Sequence, residues 1–237
     1  MSIVSIGSFP WTKEDFLERL EEFAILRKDR PIDKNIYGMR SPHMFLAWFV
    51  LRWMRPGHII ESGVAHGQGS WFFEKACPDA QLYCIDPVMD PAKILYKPAN
   101  AIYFTTDFST INWDALPRDD TLVFFDDHQD AFERIKQCKA RGFTVLMFED
   151  NYAKGGDCHS LKKAFLIPSQ REYLEQNLKV YQELPPVFKP TMTRGNVPWP
   201  HDEFPTPRPL LASVEEEWQQ IFLDEASQYT WMAYVEM

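Results

Sequence analysis

His58-Ile-Ile-Glu61-Ser-Gly63-Val-Ala-His-Gly67-Gln-Gly69-Ser70 is the stretch whose reading decides the fold. The apolar pair Ile59 and Ile60 leads into Glu61, three glycines follow, and Trp71, Phe72 and Phe73 open a helical pattern. That order predicts a strand, a glycine-rich turn and a helix. Glycine permits positive φ and lets a ligand come close to the main chain. Open amides at the start of the following helix favour polar or anionic groups. Leu82-Tyr-Cys-Ile85 predicts a second strand ending at Asp86. An acid at that tip is where nucleotide-binding α/β folds hold a ribose.

Outward from this unit, strands and helices alternate. Ile102 to Thr106 predicts a third strand ending at Asp107, and Thr121 to Phe125 a fourth ending at Asp126-Asp127-His128. A helix over Ala131–Ala140 follows, then a fifth strand, Phe143 to Phe148, ending at Glu149-Asp150-Asn151. This alternation predicts an α/β fold, Rossmann-like, with a mostly parallel seven-stranded sheet and helices on both faces. The acidic strand ends then share the carboxyl edge, where ligands bind in such sheets. Upstream, Thr12 to Lys28 predicts an amphipathic helix with a Thr12/Asp15 capping box and an apolar face of Phe16, Leu17, Leu20, Phe23 and Ala24. Pro42 to Met54, capped by Ser41, is apolar nearly all round and predicts a buried helix. Downstream, Ser160 to Leu178 predicts helix with a break at Pro168, and Val180 to Leu184 a strand. Residues 187–211 are proline-dense and predict an extended loop. Ser213 with Glu216 would cap a helix to Ala226, and Thr230 to Val235 would close the sheet. The whole, 1–237, reads as one domain, with an N-terminal helical segment (about 11–55) and the proline-rich insertion.

Composition narrows the function classes. The chain has 237 residues, 45% of them apolar and 15% aromatic, which suits a globular enzyme. A net charge of −9 with no basic run argues against a nucleic-acid partner. Cys77, Cys84, Cys138 and Cys158 form no CxxC pair and read as reduced thiols. With no signal pattern and no span-length apolar run, the expectation is a soluble, cytoplasmic protein away from membranes. Self-association into a homo-oligomer stays open.

The glycine spacing is G-x-x-x-G-x-G, which misses the dinucleotide fingerprint G-x-G-x-x-G. Glu-x-Gly-x-x-x-Gly followed by the strand-two acid instead resembles the first two motifs of class I S-adenosylmethionine (SAM) dependent methyltransferases. That resemblance implies SAM as cofactor. Glu61, Ser62, Gly63, Val64, Ala65, His66, Gly67, Gly69 and Ser70 would cradle the methionine end and ribose, although His66 also reads as a marker of backbone geometry. Asp86 and Pro87 would lie at the ribose, Asp107 and Phe108 at the adenine, and Asp126 at the cleft between.

Acids at neighbouring strand tips repel unless something positive lies between them. A hard cation with oxygen ligands answers that need, and helix caps and solvated turns are the bland alternative. Leu122-Val-Phe-Phe-Asp126 and Thr144-Val-Leu-Met-Phe-Glu-Asp150-Asn151 resemble the metal-binding segments of catechol-type O-methyltransferases. The wording Asp-Asp-His and Glu-Asp-Asn is similar to cephalosporin-hydroxylase-like and rhamnosyl O-methyltransferases as well. These resemblances imply magnesium held by Asp126, Asp150 and Asn151, with Glu149 joining by the second comparison. The catechol enzymes carry a basic lysine three positions after the strand-four acid, and Gln129 stands there in this chain. His128 is therefore the first candidate base and Asp127 the second, His128 being equally able to serve as a supporting partner.

The implied activity is SAM-dependent O-methylation, magnesium-assisted, of a hydroxyl on a small-molecule or sugar-type acceptor, as in natural-product or cell-surface glycan pathways. Gly155-Gly156-Asp157-Cys158-His159 could order over the substrate. Trp199 and Phe204 could shape the acceptor pocket or merely anchor their loop. The rivals are a metal-independent N-methyltransferase, a non-catalytic SAM-fold subunit and an NAD-dependent oxidoreductase.

Overall fold

The computed structural model describes residues 3–33, 35, 38–88, 93–152, 158–193 and 197–237. Its strands are β1 (His58–Ser62), β2 (Gln81–Ile85), β3 (Ala101–Phe104), β4 (Thr121–Phe125), β5 (Val145–Phe148), β6 (Val180–Glu183) and β7 (Ala233–Glu236). They form a seven-stranded sheet in the order β3-β2-β1-β4-β5-β7-β6. The first five pair in parallel, and β7 runs antiparallel between β5 and β6. The expected architecture is the observed one.

The chain leaves β1 in one direction to reach β2 and β3, and in the other to reach β4 and β5. That reversal opens a crevice at the carboxyl ends of β1 and β4, the general ligand position of open α/β sheets. Alternation along each central strand feeds two cores. Ile59, Leu122, Phe124 and Met147 face one side, and Ile60, Val123, Phe125, Leu146 and Phe148 the other.

The first core is covered by α1 (Lys13–Leu26), α2 (Ser41–Met54) and α3 (Gln68–Ala76). Thr12 and Asp15 form the reciprocal capping box of α1, and Phe16, Leu20, Phe23 and Ala24 are buried beneath it. Helix α2 is buried from Ser41 through Leu51, as its apolar circumference demands. Its cap differs from expectation: Ser41 lies inside the helix, and its amide donates to Glu225 at 2.7 Å. A carboxylate brought from 184 residues away thus satisfies an orphan amide and complements the helix dipole.

The second core is covered by α4 (Ala131–Arg141), α5 (Leu161–Ala164) and α6 (Pro168–Asn177). Asp130 caps α4 through the amide of Glu133, and Gly142 ends it at φ 78°. The break expected at Pro168 separates α5 from α6.

Three boundaries move. The helix expected over residues 213–226 is a 3₁₀ turn at Glu217–Gln219, capped by Glu216, followed by the five-residue α7 (Gln220–Asp224). Strand β7 starts at Ala233 because Trp231, at φ 59°, cannot lie in a strand. The described part of 187–211 is extended and makes the antiparallel bridge Met192–Pro198. Trp199 is buried in the first core, its ring centroid 4.4 Å from that of Trp231 and its Nε1 donating to the Phe204 carbonyl. It anchors this loop. All four cysteines are free thiols. Among the described residues no helix is long and apolar enough to cross a membrane.

Candidate functional site

The crevice is built by three turns. The first follows β1. Gly63 has φ 101°, and a Cβ there would overlap the backbone oxygen of Asp126. Gly67, at φ 87°, faces the Tyr96 carbonyl in the same way. Both glycines are therefore demanded by the protein's own backbone crossings. Ala65 also takes a left-handed φ, 47°, and its amide donates to Asp86 at 3.1 Å. The second oxygen of Asp86 accepts from the amide of Val88. The acid at the tip of β2 thus ties the glycine turn to its own turn. The His66 carbonyl accepts from the amides of Leu95 and Tyr96, a backbone role.

Glu61 is buried at the end of β1. Its Oε2 accepts from the Ser70 hydroxyl and lies 3.7 Å from the Cys84 thiol. Burial is the main cause that pushes its carboxyl up to about 8. Helix α3 begins at Gln68 with Gly67 as N-cap and no side-chain cap, so its first amides stay open. Glu61 Oε1 and both polar ends of the buried Gln68 side chain have no hydrogen-bond partner. Open amides and orphaned buried polar atoms on one turn fit the polar end of a bound cofactor such as SAM.

The second and third turns follow β4 and β5. They bring Asp126, His128 and Asp150 together, with one ligand atom from each lying within 4.8 Å of the others. His128 Nε2 is 3.5 Å from Asp150 Oδ2. Both residues sit in the left-handed region, His128 at φ 55° and Asp150 at φ 51°. Such non-glycine conformations cost about 1–3 kcal/mol each and persist only where surrounding contacts enforce them.

Glu149 joins from beside Asp150. Its Oε1 accepts from the Thr230 hydroxyl at 3.1 Å and lies 3.6 Å from His43 Nδ1. The amide of Thr230 donates to His43 Nε2, which leaves Nδ1 as the protonated nitrogen facing Glu149. These groups surround a cavity of about 20 Å³, also lined by Met39 and Arg40, with room for a water-sized guest. Burial and the neighbouring Asp150 and Glu61 charges hold the Asp126 carboxyl well above the usual range. Burial and the charges of Asp126 and Asp150 do the same to Glu149. A divalent cation would relieve that repulsion, and the donor set of carboxylate oxygens with one imidazole suits one.

The remaining sequence candidates lie elsewhere. Asn151 is buried, its Nδ2 donating to the Tyr181 hydroxyl and its Oδ1 accepting from the Lys162 amide. Both ends of its amide bind the protein, so it pins α5 and β6 to the strand end, which corrects the ligand expectation. Phe108 is fully buried against Trp113, Phe125 and Phe143, so its ring offers no wall to an adenine. That too is a correction.

Asp107 and Asp127 share Arg134. The guanidinium, 4% exposed, bonds Asp107 through two nitrogens at 3.0 and 2.6 Å and Asp127 at 2.8 Å. The Ser62 hydroxyl also donates to Asp127 at 2.7 Å. Arg134 holds the Asp107 carboxyl far below the ordinary range. Asp127 is thereby tied to a cation and a hydroxyl, which equips it to hold the β4 turn in place. Arg134, Thr230, His43 and Gln68 were not singled out in the sequence as site residues. Only Gln68 carried a signal, its place between two of the motif glycines. The Gly155–Asp157 part of the segment expected to close over substrate lies outside the described residues; Cys158 and His159 are described, and the His159 ring is bonded to Gln170.

No protein-family model and no curated protein matches the sequence. Solved structures do match. A candidate O-methyltransferase from Klebsiella pneumoniae is 12% identical, with 98% of this chain and 91% of that one covered and a TM-score of 0.51. TomG from Streptomyces achromogenes is an O-methyltransferase involved in tomaymycin synthesis, solved with SAM. It is 14% identical over 93% of this chain and 89% of its own, with a TM-score of 0.51. The tRNA (m1A58) methyltransferase TrmI from Aquifex aeolicus is 11% identical over 92% and 75%, at 0.50. These likenesses establish that the chain has the Rossmann-like fold of SAM-dependent methyltransferases.

Proposed function

We propose that this protein is a SAM-dependent O-methyltransferase that uses a divalent cation, magnesium by its resemblance, to methylate a hydroxyl of a small-molecule or sugar-type acceptor. The observation that carries the reading is the Asp126–His128–Asp150 cluster, beside the uncapped Gly63–Gly69 turn at the sheet's reversal point. When bound, SAM supplies an electrophilic methyl group, and the cation makes an acceptor hydroxyl more acidic.

The chain's own residues do the rest. The β1 turn and α3 amides hold the polar end of the cofactor, with Asp86 at the ribose. Asp126, Glu149 and Asp150 supply oxygen ligands to the cation, and Thr230 with His43 orients Glu149. His128 is the base, its Nε2 facing the same cleft as Asp126 and Asp150. Asp127 acts on the β4 turn through Arg134 and Ser62, as a positioning residue.

Calorimetric titration with SAM, S-adenosylhomocysteine and NAD tests the cofactor. NAD binding without SAM binding would discard the reading. EDTA is expected to abolish turnover and magnesium to restore it, whereas full activity in EDTA would favour the metal-independent N-methyltransferase. Asp150→Ala is expected to abolish magnesium-dependent thermal stabilisation while SAM affinity changes less than about twofold, because removing the ligand leaves the β1 turn untouched.

A further inference from the structure

Three polar atoms at the head of α3 lack a partner, and they are neighbours. Gln68 is the helix's first residue, 2% exposed, with neither end of its carboxamide bonded. Glu61, 1% exposed, has its Oε2 engaged by Ser70 while Oε1 stays unpaired. That free oxygen is pressed against Gly69 in the first turn of α3, so closely that a Cβ at 69 would overlap it. The methyl end of Met39 is the other neighbour of this spot, and Met39 also lines the cavity of Asp126 and Asp150. The unpaired groups are thus continuous with the candidate site.

Buried polar groups left unpaired are costly, and folds retain them where another molecule supplies the partners. The chemistry presented here is specific. Glu61 Oε1 and Gln68 Oε1 are acceptors; Gln68 Nε2 and the open α3 amides are donors at the positive end of a helix dipole. An ammonium suits the first pair and a carboxylate the second. Together they match an α-amino carboxylate.

We propose that the Gln68 carboxamide, with Glu61 Oε1, is the specificity determinant for the amino-acid end of an adenosyl ligand, separating the intact cofactor from fragments that lack this end. The proposal rests on the SAM reading above and adds to it the residue that tells these ligands apart.

The test compares the full chain with Gln68→Leu by calorimetric titration against S-adenosylhomocysteine and against 5′-methylthioadenosine, which lacks the α-amino carboxylate. Thermal melting without ligand is recorded for both proteins. The leucine variant is expected to bind S-adenosylhomocysteine about ten- to a hundredfold more weakly and 5′-methylthioadenosine as the parent does. Its unliganded melting temperature is expected to hold or rise, because an apolar isostere removes an unpaired amide. Unchanged S-adenosylhomocysteine affinity, or an equal loss for both ligands, overturns the proposal. So does a lower unliganded melting temperature, which would mean that Gln68 serves the fold. A parent protein that binds neither ligand overturns the methyltransferase reading itself, and the proposal with it.

Discussion

Replacing Arg134 by Met tests whether the crevice depends on a buried cation of the protein's own. The guanidinium lies between Asp107 and Asp127, over the rings of Phe108 and Phe125 at 5.6 and 5.5 Å. Methionine keeps much of the apolar contact and removes the charge. Breaking a buried ion pair by deleting one partner costs about 3–5 kcal/mol, because the other charge is left uncompensated. The two carboxylates differ in burial: the Asp107 side chain is 37% exposed and the Asp127 side chain 10%. Solvent screens the Asp107 share, which is discounted accordingly. The expected loss is therefore at the low end, about 3 kcal/mol, or roughly 6–12 °C in melting temperature for a chain of this size.

Urea denaturation followed by circular dichroism measures it. The pH dependence provides an internal check. Asp107 has its folded-state carboxyl held below the unfolded value, so its contribution is present above the ordinary aspartate range and is lost as pH falls through the folded value. The gap between parent and variant should accordingly shrink as the pH is lowered past about 4. A loss below about 1 kcal/mol, or a gap that stays constant into acid, would refute the assignment of Arg134 as the cation that holds both turns.

Glu61→Gln is expected to flatten the pH profile of unliganded stability. The Glu61 carboxyl is raised to about 8, so its contribution is complete below the ordinary glutamate range and is lost as pH rises toward 8. Melting temperatures of parent and variant from pH 5 to pH 8 check this, and parallel slopes would contradict it. Gly63→Ala is expected to cost more than about 2 kcal/mol, since it adds a Cβ at φ 101° against the Asp126 backbone. Chemical denaturation of the alanine variant provides the measurement.

The order of elements was legible because it depends on short-range pattern. The alternation Ile59/Ile60 and Leu122/Val123 feeds opposite faces of a sheet whatever else the chain does. The Thr12/Asp15 box and the Asp130 cap close within three residues of themselves. Acids at successive strand tips were visible for the same reason, because parallel strands bring all their carboxyl ends to one edge.

Tertiary structure decided which acids are available. Asp107, Asp127 and Asn151 read like their neighbours in the sequence, yet Arg134, Ser62, Tyr181 and Lys162 take them up from distant elements. Asp126 and Asp150 converge with His128, while Glu61 and Gln68 keep atoms that nothing in the fold engages. Local sequence specifies the backbone path through φ preference and apolar period. The partner of a buried polar group depends on which side chains the packed cores deliver to it, and that is settled only when every long-range contact is made.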